Sequence, residues 1–260
     1  MNAQVLEITE ETGSGRSGSS EVAKALAKID RGAIAADYEK FHSLFWREGF
    51  LPQSLVDGYA AEADQLRSRV VRKRVPGYKK SGSVSYFDLL EAAPKIISLY
   101  KDPALIAYLS ELAGAPLMIC PDDDPHAAAL YYYTEAEDGI GFHYDSSHYE
   151  GDRYTVLVGL VNKSERAKLI VHPNRKSGGE HVEYQVATHP GTFVFFNGNN
   201  IWHSVSPIGE NEERIVLTLE YVTNPSMTPF RRFISNMKDA LTYFGWKGIL
   251  SRPRAGQKPA

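Results

Sequence analysis

Cysteine is almost missing from this sequence: Cys120 is the only one in 260 residues. A single thiol excludes an internal disulfide and a thiolate metal cluster, and it suits a reducing compartment. Neither sign of charge dominates. A formal net charge of −3 argues against nucleic acid as the main partner. No apolar run approaches the roughly 20 residues that a membrane-spanning helix needs. The first twenty residues are acidic and then Gly/Ser-rich, with no signal-peptide core, so the expected compartment is the cytoplasm. What is present is ordinary: 43% hydrophobic residues and enough chain for one large, well-covered domain.

The chain divides by pattern, without internal repeats. Residues 1–20, with the segment TGSGRSGSS, read as a disordered arm. Helical spacing is expected from Glu21 to Ala36, from Pro52 to Val71 and from Pro94 to Ala113, with a strand around Phe45 to Leu51. After Pro116 the character changes. Ala127 to Tyr133, Arg153 to Val161, Lys168 to His172, Glu180 to Val186, Gly191 to Phe196 and Arg214 to Val222 are short β-branched or apolar runs separated by turn signals. Evenly spaced short strands in this number predict a sandwich or jelly roll rather than a parallel sheet. A closing helix is expected from Pro229 to Tyr243, and a frayed tail from Ser251 to Ala260. The fold class is therefore α+β, a jelly-roll core flanked by helices, with residues 21–250 as one domain.

Within the β region, His143 and Asp145 form an H-x-D pair, which strand alternation would direct at one ion. His203 follows the apolar segment GTFVFFNGNNIWH, which returns toward the same end of the sheet. Two imidazoles and one carboxylate on one face of an octahedron leave three positions open, an arrangement suited to Fe(II) that must take a co-substrate and dioxygen together. The same ligands can also hold zinc. Arg214 opens the next strand, EERIVLTLEYV. A guanidinium buried there would pair with the far carboxylate of a dicarboxylic acid whose other end chelates the iron. A lone H-x-D is weak in a chain with eight histidines; His203, Arg214 and the all-β setting are what give it weight.

These residues, over Ala127 to Val222, resemble the Fe(II)/2-oxoglutarate dioxygenase superfamily, in its prolyl-hydroxylase-like branch. The resemblance implies a double-stranded β-helix, Fe(II), 2-oxoglutarate and O₂ as cofactors, and metal ligation by His143, Asp145 and His203. It also implies that Tyr133 helps hold the 2-oxoglutarate carboxylate beside Arg214, with Tyr131 on the same strand face as a second candidate. Val216 departs from the family pattern, which commonly carries Ser or Thr two residues after the arginine. Ala167-Lys168-Leu169 stands where a Gly-Gly-Glu-Leu segment is common. VPGYKKSGSVSY, YEGDRYTVLVGLVN and TPFRRF are similar to small bacterial oxygenases of free amino acids and other metabolites, a group related to radical halogenases. Halogenases replace the metal-binding aspartate by glycine. Asp145 is intact, which implies hydroxylation of an unactivated C–H bond of a small metabolite rather than halide transfer.

The remaining candidates are less specific. Arg72, Lys73, Arg74, Lys79 and Lys80 form a basic run, read either as a solvated face or as a loop whose cations meet an anionic substrate group; Arg74 is the substrate candidate there. His148, just after the ligand pair, is a second. The alternatives to hydroxylation are desaturation or cyclisation at the same iron, or a non-catalytic cupin-like binding protein. The expected partner is a small molecule, and the oligomeric state is left open.

Overall fold

The computed structural model describes residues 20–145, 149–176, 178 and 181–227. Residues 1–19 of the expected arm, the closing helix from Pro229, the tail and His148 lie outside them. No described helix is long and apolar enough to cross a membrane.

Helices come first: α1 (Glu21–Leu26), α2 (Arg31–Lys40), α3 (Gln53–Gln65), α4 (Tyr86–Ala92), α5 (Pro94–Tyr100) and α6 (Pro103–Ala113). Two of the helical stretches expected from periodicity are each broken once, and each break is capped. Asp30 accepts the Ala33 amide at the start of α2, and Asp102, with Pro103 behind it, accepts the Ala104 and Leu105 amides at the start of α6. Interleaved with the helices are β1 (Leu44–Arg47), β2 (Val71–Val75), β3 (Lys79–Val84) and β4 (Met118–Ile119). The core strands follow: β5 (Ala128–Tyr133), β6 (Gly139–His143), β7 (Arg153–Asn162), β8 (Leu169–His172), β9 (Tyr184–Val186), β10 (Phe193–Asn197), β11 (Trp202–Val205) and β12 (Arg214–Val222).

All described strand pairings are antiparallel, in the order β1-β10-β7-β12-β5-β3-β6-β11-β8-β9, with β2 and β4 attached to β3 and β12. The sheet folds over, so that residues of β5, β7 and β12 line one cavity together with residues of β6 and β11. This is a double-stranded β-helix.

The long strands are buried on both faces, and their alternation decides what faces what. On β12, Ile215, Leu217, Leu219 and Tyr221 join the apolar cluster under the helices, while Arg214, Val216, Thr218 and Glu220 line the cavity. On β7, Tyr154, Val156, Val158 and Leu160 pack toward the helices, and Arg153, Thr155 and Leu157 toward the cavity. β10 divides likewise, with Phe193 and Phe195 in the helix-side cluster and Val194 and Phe196 in the second cluster between the sheet layers.

The hairpin of β2 and β3 was not expected, nor were α4, β4 and β11. β2 and β3 form a hairpin through Gly77, whose positive φ of 71° a side chain would resist. Residues that read as a helix end and a loop are drawn into strand by pairing of β3 with β5 and β6. Arg72 anchors the hairpin: its Nη1 and Nη2 donate to both oxygens of Asp138, at 2.8 and 2.6 Å. Asp138 is fully buried and also accepts the Thr134 and Glu135 amides, which shapes the turn leading into β6. Lys80 donates to the Ala136 carbonyl of the same turn. Removing one partner of such a buried pair costs about 3 kcal/mol. Arg72→Ala, which strips the fully buried Asp138 of its bidentate partner, should therefore lower the melting temperature by about 6–12 °C in a thermal unfolding scan. Asp138→Ala leaves an arginine that can reach water but also frees the Thr134 and Glu135 amides, and should cost a comparable amount.

Candidate metal and co-substrate site

Sheet register brings the two histidines together. His143, the last residue of β6, is the direct cross-strand partner of His203 on β11, and their ring centroids are 4.3 Å apart. Each Nδ1 faces a carbonyl two residues earlier, Gly141 at 2.9 Å and Ile201 at 3.1 Å. A carbonyl only accepts, so both Nδ1 atoms carry the proton and both Nε2 lone pairs are left for a ligand.

Asp145 lies beyond the end of β6, so strand alternation does not place it. Its backbone N–H donates to Gly198 O at 3.0 Å, and Thr155 Oγ1 donates to its Oδ2 at 2.7 Å. The carboxylate oxygens then sit 3.4 Å from His143 Nε2 and 3.7 Å from His203 Nε2, and one ligand atom from each residue lies within 4.8 Å of the others. Ligands about 2.1 Å from one ion at right angles are about 3 Å apart, so each of the two Asp145–histidine distances is within about 1 Å of that spacing. Gly198 makes this approach possible. A Cβ there would stand 2.7 Å from Asp145 Cβ and 2.9 Å from Thr155 Oγ1.

The electrostatics suit a cation. Burial alone would raise the Asp145 pKa, but His203 and His143 outweigh it and hold the carboxyl well below its usual range. Burial lowers His203, with Asp145 opposing. For His143 burial also pulls down, but the hydrogen bond and charge of Asp145 leave it raised overall. The one carboxylate raises both histidines, and only at His143 does it outweigh burial.

Arg214 is 1% exposed and lies directly across from Tyr133 of β5, its guanidinium 4.9 Å from that ring's centroid. Nε donates to Thr188 Oγ1 at 2.8 Å, whereas Nη1 is buried without a partner among the described residues. Burial depresses the arginine pKa, with Tyr133 opposing, and burial raises the Tyr133 phenol, with Arg214 and Lys79 opposing. Val216 adds an apolar wall where the related pattern has a hydroxyl, and the hydroxyl that meets Arg214 belongs to Thr188.

Behind Thr155 the cavity continues to a second charged pair. Arg153 Nε donates to Glu220 Oε2 at 2.9 Å and Nη2 to His126 O at 3.2 Å. Thr155 Oγ1 is also 3.0 Å from Glu220 Oε2. Burial pushes Glu220 up to about 8, Arg153 opposing and Asp145 adding to the rise. At the rim, Phe142 is partly exposed and stacks on Trp202, and Tyr144 lies 4.7 Å from the same indole.

The cavity, of about 600 Å³, is lined by His143, Asp145, His203, Arg214, Tyr131 and Tyr133 together. Arg74 is exposed on β2 and does not line it; from the basic run Lys73 and Lys79 do. Sequence reasoning did not find Thr155, Thr188 or Gly198. Thr155 had a signal, its inward position on an alternating strand, whereas Thr188 and Gly198 lie outside strands and act only through tertiary approach.

No family model and no curated protein matches the sequence. Solved structures do match by shape. The non-haem alpha-ketoglutarate-dependent epimerase SnoN from nogalamycin biosynthesis aligns with a TM-score of 0.63 and 19% identity, over 77% of this chain and 86% of that one. SnoN has also been solved with Fe3+, alpha-ketoglutarate and nogalamycin RO. A Pseudomonas putida prolyl-4-hydroxylase aligns at 0.57 and 18%, over 75% and 100%. The carbocyclase SnoK, also alpha-ketoglutarate-dependent, aligns at 0.61 and 14%, over 81% and 91%. At these identities the likeness establishes the fold, the double-stranded β-helix of the 2-oxoglutarate/Fe(II) oxygenases.

Two substitutions test the construction of the site. Gly198→Ala should push Asp145 aside and weaken Mn(II) binding by about tenfold or more, measured by equilibrium dialysis. Thr155→Val, which removes one hydrogen bond to a ligand, should weaken it by about 10–100-fold. Unchanged affinity in both would show that neither positions Asp145.

Proposed function

We propose that this protein is an Fe(II)- and 2-oxoglutarate-dependent oxygenase that hydroxylates an unactivated C–H bond of a small organic molecule. The observation that carries the reading is the buried Nη1 of Arg214, unpartnered among the described residues, in the same cavity as three convergent candidate metal ligands. A guanidinium kept from water costs several kcal/mol unless an anion joins it. A dicarboxylate held at one end by a metal supplies that anion at the other.

His143, Asp145 and His203 would hold the iron through Nε2, a carboxylate oxygen and Nε2, their Nδ1–H groups fixed by Gly141 and Ile201. When bound, iron with 2-oxoglutarate supplies the oxidation, consuming O₂ and releasing succinate and CO₂. The chain's own part is placement. Arg214 and Tyr133 seat the far carboxylate, Leu157, Leu169, Val205 and Val216 give apolar walls that exclude water, and Thr155 keeps Asp145 from rotating. Asp145 fills a position that a halide would need, which favours oxygen insertion over halide transfer. A cavity of about 600 Å³ suits a small molecule, and the aromatic rim of Phe142, Trp202 and Tyr144 offers it flat apolar contact. Epimerisation, ring closure and prolyl hydroxylation all occur among the neighbours, so the outcome here depends on which substrate carbon is presented to the metal.

The test is Fe(II)-dependent conversion of 2-oxoglutarate to succinate, screened with free amino acids and small secondary metabolites. Asp145→Ala and His203→Ala should abolish it. Arg214→Met should raise the 2-oxoglutarate concentration for half-maximal rate by about 10–100-fold, the worth of a charge-assisted hydrogen-bond pair. Full activity in His203→Ala would sink the site assignment.

A further inference from the structure

Besides Arg214, Arg153 and Lys73, a further cation lines the cavity, and the reading above leaves it unused. Lys79 begins β3, next to Ile140 of the strand that carries His143. Its Nζ lies 4.6 Å from the centroid of Tyr131, and no carboxylate among the described residues is within ion-pair distance. Its neighbours in the basic run are differently occupied: Arg72 and Lys80 are tied to Asp138, Glu135 and Ala136, Arg74 does not line the cavity, and Lys73, which does, is already engaged. Burial lowers the Lys79 pKa, with Tyr133 and Asp145 opposing, the sign expected of an ammonium short of a counter-ion.

The other groups in the cavity are engaged in a way that isolates this one. Arg153 is held by Glu220 and the His126 carbonyl. A divalent ion and Asp145 together carry one positive charge, which the near carboxylate of 2-oxoglutarate balances, and Arg214 balances the far one. Nothing already named neutralises Lys79. Resting on the proposed function, we infer that Lys79, seated on Tyr131, is a specificity-determining residue that binds a carboxylate of the substrate. A single ammonium matches a monoanion better than a phosphate, which carries close to two charges. The substrate class is then a small carboxylic acid, and the hairpin, which pattern alone presents as a solvated basic face, contributes to selecting it.

Calorimetry on the Mn(II)-loaded full chain tests this without turnover. 2-Oxoglutarate is titrated first into wild type, Lys79→Met, Lys79→Arg and Arg214→Met. The saturated proteins are then titrated with matched pairs, free amino acids and aromatic carboxylic acids each beside its own primary amide. We expect Lys79→Met to bind 2-oxoglutarate within about threefold of wild type and Arg214→Met to lose about tenfold or more. In wild type at least one acid should bind about tenfold tighter than its amide. Lys79→Met should erase that preference, and Lys79→Arg, which restores the charge, should keep most of it. A 2-oxoglutarate defect in Lys79→Met as large as that of Arg214→Met would overturn the proposal by assigning Lys79 to the co-substrate. So would a wild type that binds no acid better than its amide, or a preference that Lys79→Met leaves intact. Failure of wild type to bind 2-oxoglutarate in the first titration would sink the underlying reading, and this inference with it.

Discussion

The structure is organised around a charge kept from water. Arg214 is buried in an apolar layer with one nitrogen unmatched among the described residues, a state that costs a folded protein several kcal/mol when nothing binds there. Such a group persists where the surroundings over-determine it. Here β12 is paired along its whole length with β7 on one side and with β5 on the other, and its opposite face is locked into the helix-side core by Ile215, Leu217, Leu219 and Tyr221. The same alternation that buries those four side chains leaves Arg214 no direction but inward.

From that constraint the rest of the site follows by register. Tyr133 lies opposite Arg214, His203 opposite His143, and Thr155 on the next inward-facing row of β7 reaches Asp145. Each of these contacts depends on a two-residue period, so a one-residue slip in any of the strands would turn its cavity residues into the core. The glycine at 198 shows how little space was left: the segment after β10 passes against Asp145 at a distance that excludes even a methyl group.

Much of this was legible in the sequence, and the reasons for the gaps are physical. β7 and β12 announce themselves, because strands buried on both faces must be apolar on one and are rich in β-branched residues on the other. The H-x-D pair, the distal histidine and the arginine were singled out from type and spacing, and the fold brings them to one cavity, although Asp145 is placed by Gly198 and Thr155 rather than by the strand. The hairpin was missed because VRKRV and KKSGSV carry charge, serine and glycine, compositions with weak strand preference, and β3 becomes a strand only through its partners β5 and β6. Arg74 was singled out from the right segment but faces away from the cavity. On a strand, the neighbouring position is the opposite face, and that choice cannot be read until the strand itself is recognised.

The central claim is that one cavity binds a metal and a dicarboxylic oxo acid as a unit, the ion at one end and Arg214 at the other. It is tested most directly by calorimetric titration of 2-oxoglutarate and of glutarate, which lacks the chelating ketone, into the metal-free and the Mn(II)-loaded protein. 2-Oxoglutarate should bind tightly only when Mn(II) is present and should exceed glutarate by about a hundredfold or more, chelation adding a second point of attachment. Equal binding of the two acids, or binding of 2-oxoglutarate that ignores the metal, would contradict it.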